Sequence, residues 1–157
     1  MRNNRGGRSK DLALRGSLTL KCPMKNTIQE LKSEHKTILA ILGQIKELGI
    51  SSQAGQVKLL AARDLLTAHM RKEDEKYYAE LRKAAEGNKE LKMMMEYFVD
   101  DMEAVSKKAM RLFDKYALGG DEAEFAGDIK LLYLTLKDRI QTEEKTLFEK
   151  FPGKRVV

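Results

Sequence analysis

Two histidines and two glutamates interrupt the apolar stripes of an otherwise regular sequence, and their types point to metal chemistry. His35 falls in the series Leu31, His35, Ile38, Leu42, while His69 and Glu73 fall in the series Ala62, Leu66, His69, Glu73, Tyr77. Residues three or four apart share one face of a helix, so these side chains point where their apolar neighbours point. Glu144 stands between Ile140 and Leu147 on a further stripe of the same kind. An ionised carboxylate among apolar side chains is strongly disfavoured unless it is paired, hydrogen-bonded or bound to metal. Two imidazoles with two carboxylates form the ligand set of non-haem iron, manganese or zinc. Without an ion, the same four residues would make a buried ion-pair cluster in which a Glu satisfies each His. Both readings stand at this level.

The elements that must position these residues follow from periodicity. Thr27 with Glu30 makes a capping box, after which Ile28, Leu31, Ile38, Leu42 and Ile45 form one stripe ending near Gly49. A second helix starts after Ser51 and Ser52 and runs to Gly87, frayed near Gly55, with Leu59, Ala62, Leu66, Met70, Tyr77 and Leu81 inside. A third carries Leu91, Met95, Phe98, Met102, Val105, Ala109, Leu112 and Tyr116 up to Gly119 and Gly120. Asp121 with Glu124 caps a fourth, whose stripe of Phe125, Ile129, Leu132, Leu136, Ile140, Leu147 and Phe151 stops at Pro152 and Gly153. Connections of a few residues force neighbours antiparallel, which predicts an all-α, up-down-up-down four-helix bundle.

These motifs resemble hemerythrin-like domains, the hemerythrin HHE cation-binding family. His69-Met70-Arg71-Lys72-Glu73, followed by Tyr77-Tyr78, is similar to the His-x-x-x-Glu signature of the family's second helix. His35, preceded by Glu34, sits where the family has its first ligand. Arg139-Ile140-Gln141-Thr142-Glu143-Glu144, then Leu147-Phe148, is similar to its closing motif, in which a His stands at the position of Arg139. The resemblance covers about residues 25 to 152. It implies metal binding, with iron held between helices and dioxygen or an oxygen, redox or iron signal as the partner chemistry.

Two departures narrow that implication. A guanidinium stays protonated and does not ligate metal, so Arg139 removes one family ligand. The third helix normally adds one or two more His and has none here, with Met95, Phe98 and Met102 on its central face. Residue matching keeps His35, His69, Glu73 and Glu144, which is half of a two-iron site and fits a single iron; zinc or no metal are the alternatives. Arg139 is then expected to compensate carboxylate charge by pairing with Glu73 or Glu144. Residues five apart differ by about 140° on an ideal helix, so a rotation of the last helix would bring Glu143 inward in place of Glu144.

Composition agrees with the helical reading and limits the partners. Charged residues make up 34% of the 157, aromatic ones 6%, Trp is absent and Pro occurs twice, a mixture that favours long helices in one domain. The net charge of +6 is accounted for by residues 1 to 25, where seven Lys and Arg face the single Asp11. Residues 1 to 24 are expected to be a disordered basic tail and 153 to 157 a short C-terminal one, flanking a bundle over 25 to 152. A basic tail invites a nucleic-acid reading, but such tails are usually solvated arms, so nucleic acid is not an expected partner; Met24 offers a second possible translation start. No secretory or membrane-spanning segment is recognisable, so a cytoplasmic location is expected, and lone Cys22 has no second Cys to pair with. A Gly-rich phosphate loop and a nucleophile beside a base are both missing, so common hydrolase, kinase and dehydrogenase activities have no basis. The expected role is therefore a metal-binding bundle; a metal-free structural or protein-interaction module is the alternative.

Overall fold

The computed structural model describes residues 23–152; Cys22, the basic segment and the short C-terminal tail lie outside the described residues. Helix α1 spans Pro23–Leu48 and α2 spans Gln53–Lys72. A π-helical turn at Glu73–Tyr78 joins α2 to α3, Ala79–Ala85, so the three make one long rod. Helix α4 spans Lys89–Tyr116, and α5 spans Glu122–Glu143 and runs on into a second π-helical turn at Glu144–Phe148. Four rods and no strand occur among the described residues, as the periodicity predicts.

Local chemistry starts each rod. Ser52, Asn88 and Asp121 stand before α2, α4 and α5, and their side-chain oxygens accept hydrogen bonds from the N–H groups of Gly55, Leu91 and Glu124 at 3.0, 3.1 and 2.8 Å. Such caps satisfy N–H groups that have no partner inside the helix. Helix α1 is described from Pro23, so it already runs through the expected cap at Thr27. Gly55 does not fray α2. A Cβ there would lie 1.8 Å from the Gly49 carbonyl oxygen, so the missing side chain is what lets the first turn pack against the α1–α2 loop.

Links over residues 49–52, 86–88 and 117–121 make the rods antiparallel. Helix α1 packs against α2 and α5, and α4 packs against α3, α2 and α5, which closes the bundle. Its interior is two apolar clusters. One gathers Ile38, Leu42, Leu59, Leu66, Leu112 and Phe125, and the other Leu31, Tyr77, Tyr78, Leu91, Phe98 and Phe148. Between them in every rod but α4 comes a buried polar residue: His35, His69 with Glu73, and Glu143. No helix among the described residues is long and apolar enough to cross a membrane.

Candidate metal centre

His35 and His69 face each other edge to face, with ring centroids 4.7 Å apart. Each is fixed from outside through Nδ1, by Glu144 Oε1 at 2.8 Å for His35 and by Glu34 Oε2 at 2.8 Å for His69. An Nδ1–H donated to a carboxylate leaves Nε2 as the nitrogen with a free lone pair, and both Nε2 atoms point to the bundle centre. His69 Nε2 lies 3.0 Å from Glu73 Oε2, and His35 Nε2 lies 3.5 Å from Glu143 Oε1. One ligand atom each from His35, His69 and Glu73 falls within 4.8 Å of the others, and all three residues are buried.

The expected site residues are thus brought together with one exception. Glu144 was expected on the inner stripe, but its side chain is 31% exposed and reaches His35 from the rim. The carboxylate that turns inward is Glu143, 2% exposed. Glu143 still lies on regular α5, where about 100° per residue sets it on the stripe of Phe125, Ile129, Leu132, Leu136 and Ile140 and turns Glu144 about 80° away from that direction. Arg139 also finds partners other than those expected. Its guanidinium donates to Asp101 Oδ2 at 2.7 Å and approaches Glu143 Oε2 at 3.4 Å, and its Nη atoms lie 3.4 Å from the Phe98 carbonyl oxygen. Neither Glu73 nor Glu144 is bonded to it, although its charge still acts on Glu73 through space.

Electrostatics show which groups are under stress. Burial pushes the Glu143 carboxyl well above the usual carboxylate range, and the charge of Glu73 adds to that; His35 and Arg139 pull the other way. Burial likewise raises Glu73, against a hydrogen bond with Glu143. Burial lowers His35 and favours the neutral imidazole that a metal requires, although Glu144 works against it. Glu34 goes down. Burial would raise it, but hydrogen bonds from Lys72 and His69 outweigh that effect. The Tyr78 hydroxyl, raised by burial, donates to Glu143 Oε2 at 3.2 Å.

The residues fit a cation. Glu73 Oε1 is buried with no N–H or hydroxyl bonded to it, so it is met either by the protonated carboxyl of Glu143 or by a cation. Beside it lies a cavity of about 30 Å³, reached by Met70, Met102, Ser106 and Leu136 as well as by the His and Glu side chains. Helix α4 offers the cavity Met102, Val105 and Ser106 and no imidazole, which agrees with the missing third-helix ligands.

Sequence reasoning put Glu143 second to Glu144, and it missed the outer role of Glu34 and Glu144 and the pairing of Asp101 with Arg139. A signal for Glu143 was present. Glu73 is followed four and five residues on by Tyr77 and Tyr78, and Glu143 by Leu147 and Phe148, and all four of these are buried. Two adjacent core residues after an inward carboxylate do not fit a 3.6-residue turn, and they mark both wide turns.

An antiparallel four-helix bundle with imidazoles and carboxylates on facing helices is a metal-site architecture. The chain belongs to the hemerythrin family: residues 25–151 match the model of the hemerythrin HHE cation binding domain. Comparison with curated proteins gives no match, and comparison with solved structures gives none either.

Proposed function

We propose that the bundle is a cation-binding domain holding a single divalent transition metal, iron first and zinc second, through His35, His69 and Glu73, with Glu143 as the carboxylate from the last helix. The observation that carries this reading is that His35, His69 and Glu73, all buried, each bring one ligand atom within 4.8 Å of the others. Bound iron would supply one-electron redox chemistry and an affinity for small oxidants or diatomic ligands. The chain's own residues do the rest. Glu34 and Glu144 hold the imidazole tautomers, Arg139 offsets carboxylate charge, and the apolar walls exclude water. Sensing oxygen, redox state or iron in the cytoplasm suits such a site better than two-iron dioxygen carriage, because Arg139 and α4 supply no ligands for a second ion.

Elemental analysis of the purified chain, then anaerobic ferrous titration of the metal-free form, tests the proposal. One equivalent of metal, lost in His69→Ala and in Glu73→Ala, is the expected result. Two equivalents with an oxo-bridged di-iron absorption spectrum would contradict the single-ion reading. A metal-free bundle serving as an interaction module is the second reading, and it draws support from the carboxylate partner that each His already has. Failure to take up any metal would favour it.

A further inference from the structure

The outward face of α4 is divided by charge and carries both an apolar projection and an apolar groove. Counting about 100° per residue places Met93, Tyr97, Ala104, Lys108, Arg111 and Lys115 within one narrow sector of the helix. Met93 and Tyr97 are 70% and 65% exposed, and large apolar side chains so exposed on one stripe mark an interaction surface. Further along the helix, Arg111 and Lys115 of that stripe, with Leu112 beside them, join Leu131, Leu132 and Thr135 of α5 around a surface groove of about 300 Å³. Leu131, which lines it, is 67% exposed. Before Ala104 the helix carries five acids and two lysines, and from Ala104 on it carries four bases and one acid.

We infer that this face binds a second copy of the chain, with the two α4 helices antiparallel across a two-fold axis at Ala104. Three features fit this one occupant. Ala104 is exposed, and its small side chain lets two helix backbones approach. It lies midway between Tyr97 and Arg111, about 10 Å along the helix from each. A two-fold axis there lays Tyr97 of each protomer against Arg111 at its partner's groove, where a guanidinium over an aromatic ring is favourable. The same operation sets Asp100 of one protomer opposite Lys108 of the other. Asp100, Lys108 and Arg111 have no ion pair among the described residues, so these charges are open to a partner. The acidic half of each helix thus meets the basic half of the other, which makes the face self-complementary as an isologous interface requires.

Sedimentation equilibrium of the full chain at several salt concentrations tests the pairing. A dimer is expected that weakens as salt rises. Tyr97→Glu, Asp100→Lys and Lys108→Asp should each weaken it about tenfold or more, and all three positions are exposed, so circular dichroism should show the bundle unchanged. Asp100→Lys combined with Lys108→Asp should restore association, because the exchanged charges meet again across the axis. A chain that stays monomeric, a dimer indifferent to these changes, or a double variant no better than its parents would overturn the inference. So would a monomer that dimerises only after residues 1–22 are removed, since the chain's own basic segment would then be the occupant. Metal content measured in parallel keeps this result separate from the proposed metal site.

Discussion

Arg139 is the cation that a layer of buried carboxylates would otherwise lack. Its side chain is 9% exposed, and it lies between Asp101 at the rim and Glu143 inside. Arg139→Ala would leave Glu143 buried without its cation, and removing one partner of a buried pair costs about 3 to 5 kcal/mol. Denaturant titration of the metal-free protein measures this, and a change within about ±0.5 kcal/mol would make Arg139 an ordinary surface residue. Glu34 acts differently, as the group that holds His69 by Nδ1 while Lys72 anchors it. Glu34→Gln keeps the shape but weakens that hold, and loss of such an outer partner is expected to lower metal affinity about 10- to 100-fold. The pH dependence follows from the sign of the shift. Glu34 is lowered from 4.5 in the folded state, so the stability it contributes is present above about pH 4.5 and is lost as the pH falls through its folded value. Wild type and Glu34→Gln should therefore differ in stability at neutral pH and converge in acid, which thermal melts across that range would show.

The elements explain why the sequence revealed three of the inward polar groups and misplaced the fourth. His35 and His69 lie on regular helix, and Glu73 follows α2 directly at the start of a wide turn, so a spacing of three or four residues still gives its direction. Glu143 ends regular α5 and Glu144 opens the wide turn; both stand three or four residues from Ile140 and Leu147, so those two neighbours alone leave either carboxylate inward, while the longer stripe from Phe125 to Ile140 points to Glu143. Arg139 was legible as a departure from its family but its partners were not, because Asp101 belongs to another helix and only packing brings it near. Two glycines make the element-level argument testable. Gly55→Ala would put a Cβ 1.8 Å from the Gly49 carbonyl oxygen, so the start of α2 must move, and a loss of about 1 to 3 kcal/mol is expected. Gly43 lies inside α1 with nothing within 4 Å of its would-be Cβ, so Gly43→Ala should gain about 0.5 to 1 kcal/mol. Urea melts of the two variants check both signs, and equal effects would remove the distinction.

Across the whole molecule, the polar layer divides a core that would otherwise be continuous. The apolar clusters on either side already hold the rods together, and His35, His69, Glu73 and Glu143 sit where further apolar side chains would fit the stripes. Burial raises both Glu73 and Glu143 and lowers His35, so for each of the three the charged form is disfavoured in the metal-free state. A layer kept for stability alone would be a poor use of that space, since replacing a buried ionic cluster by well-packed apolar residues is often neutral or stabilising by about 1 to 4 kcal/mol. The variant His35→Leu, His69→Leu, Glu73→Leu, Glu143→Met, with Arg139→Met to remove the cation that would be stranded, is therefore expected to be at least as stable as the metal-free parent. It should also bind no iron or zinc. The parent, by contrast, should gain about 2.7 kcal/mol when free metal reaches 100 times its dissociation constant, because a ligand that binds only the folded state stabilises it by mass action. Thermal and denaturant melts of both proteins, with and without ferrous iron or zinc, compare the two. If the apolar variant unfolds more readily than the metal-free parent, or populates several states by NMR, then the layer specifies the fold itself and metal binding is not what it is kept for.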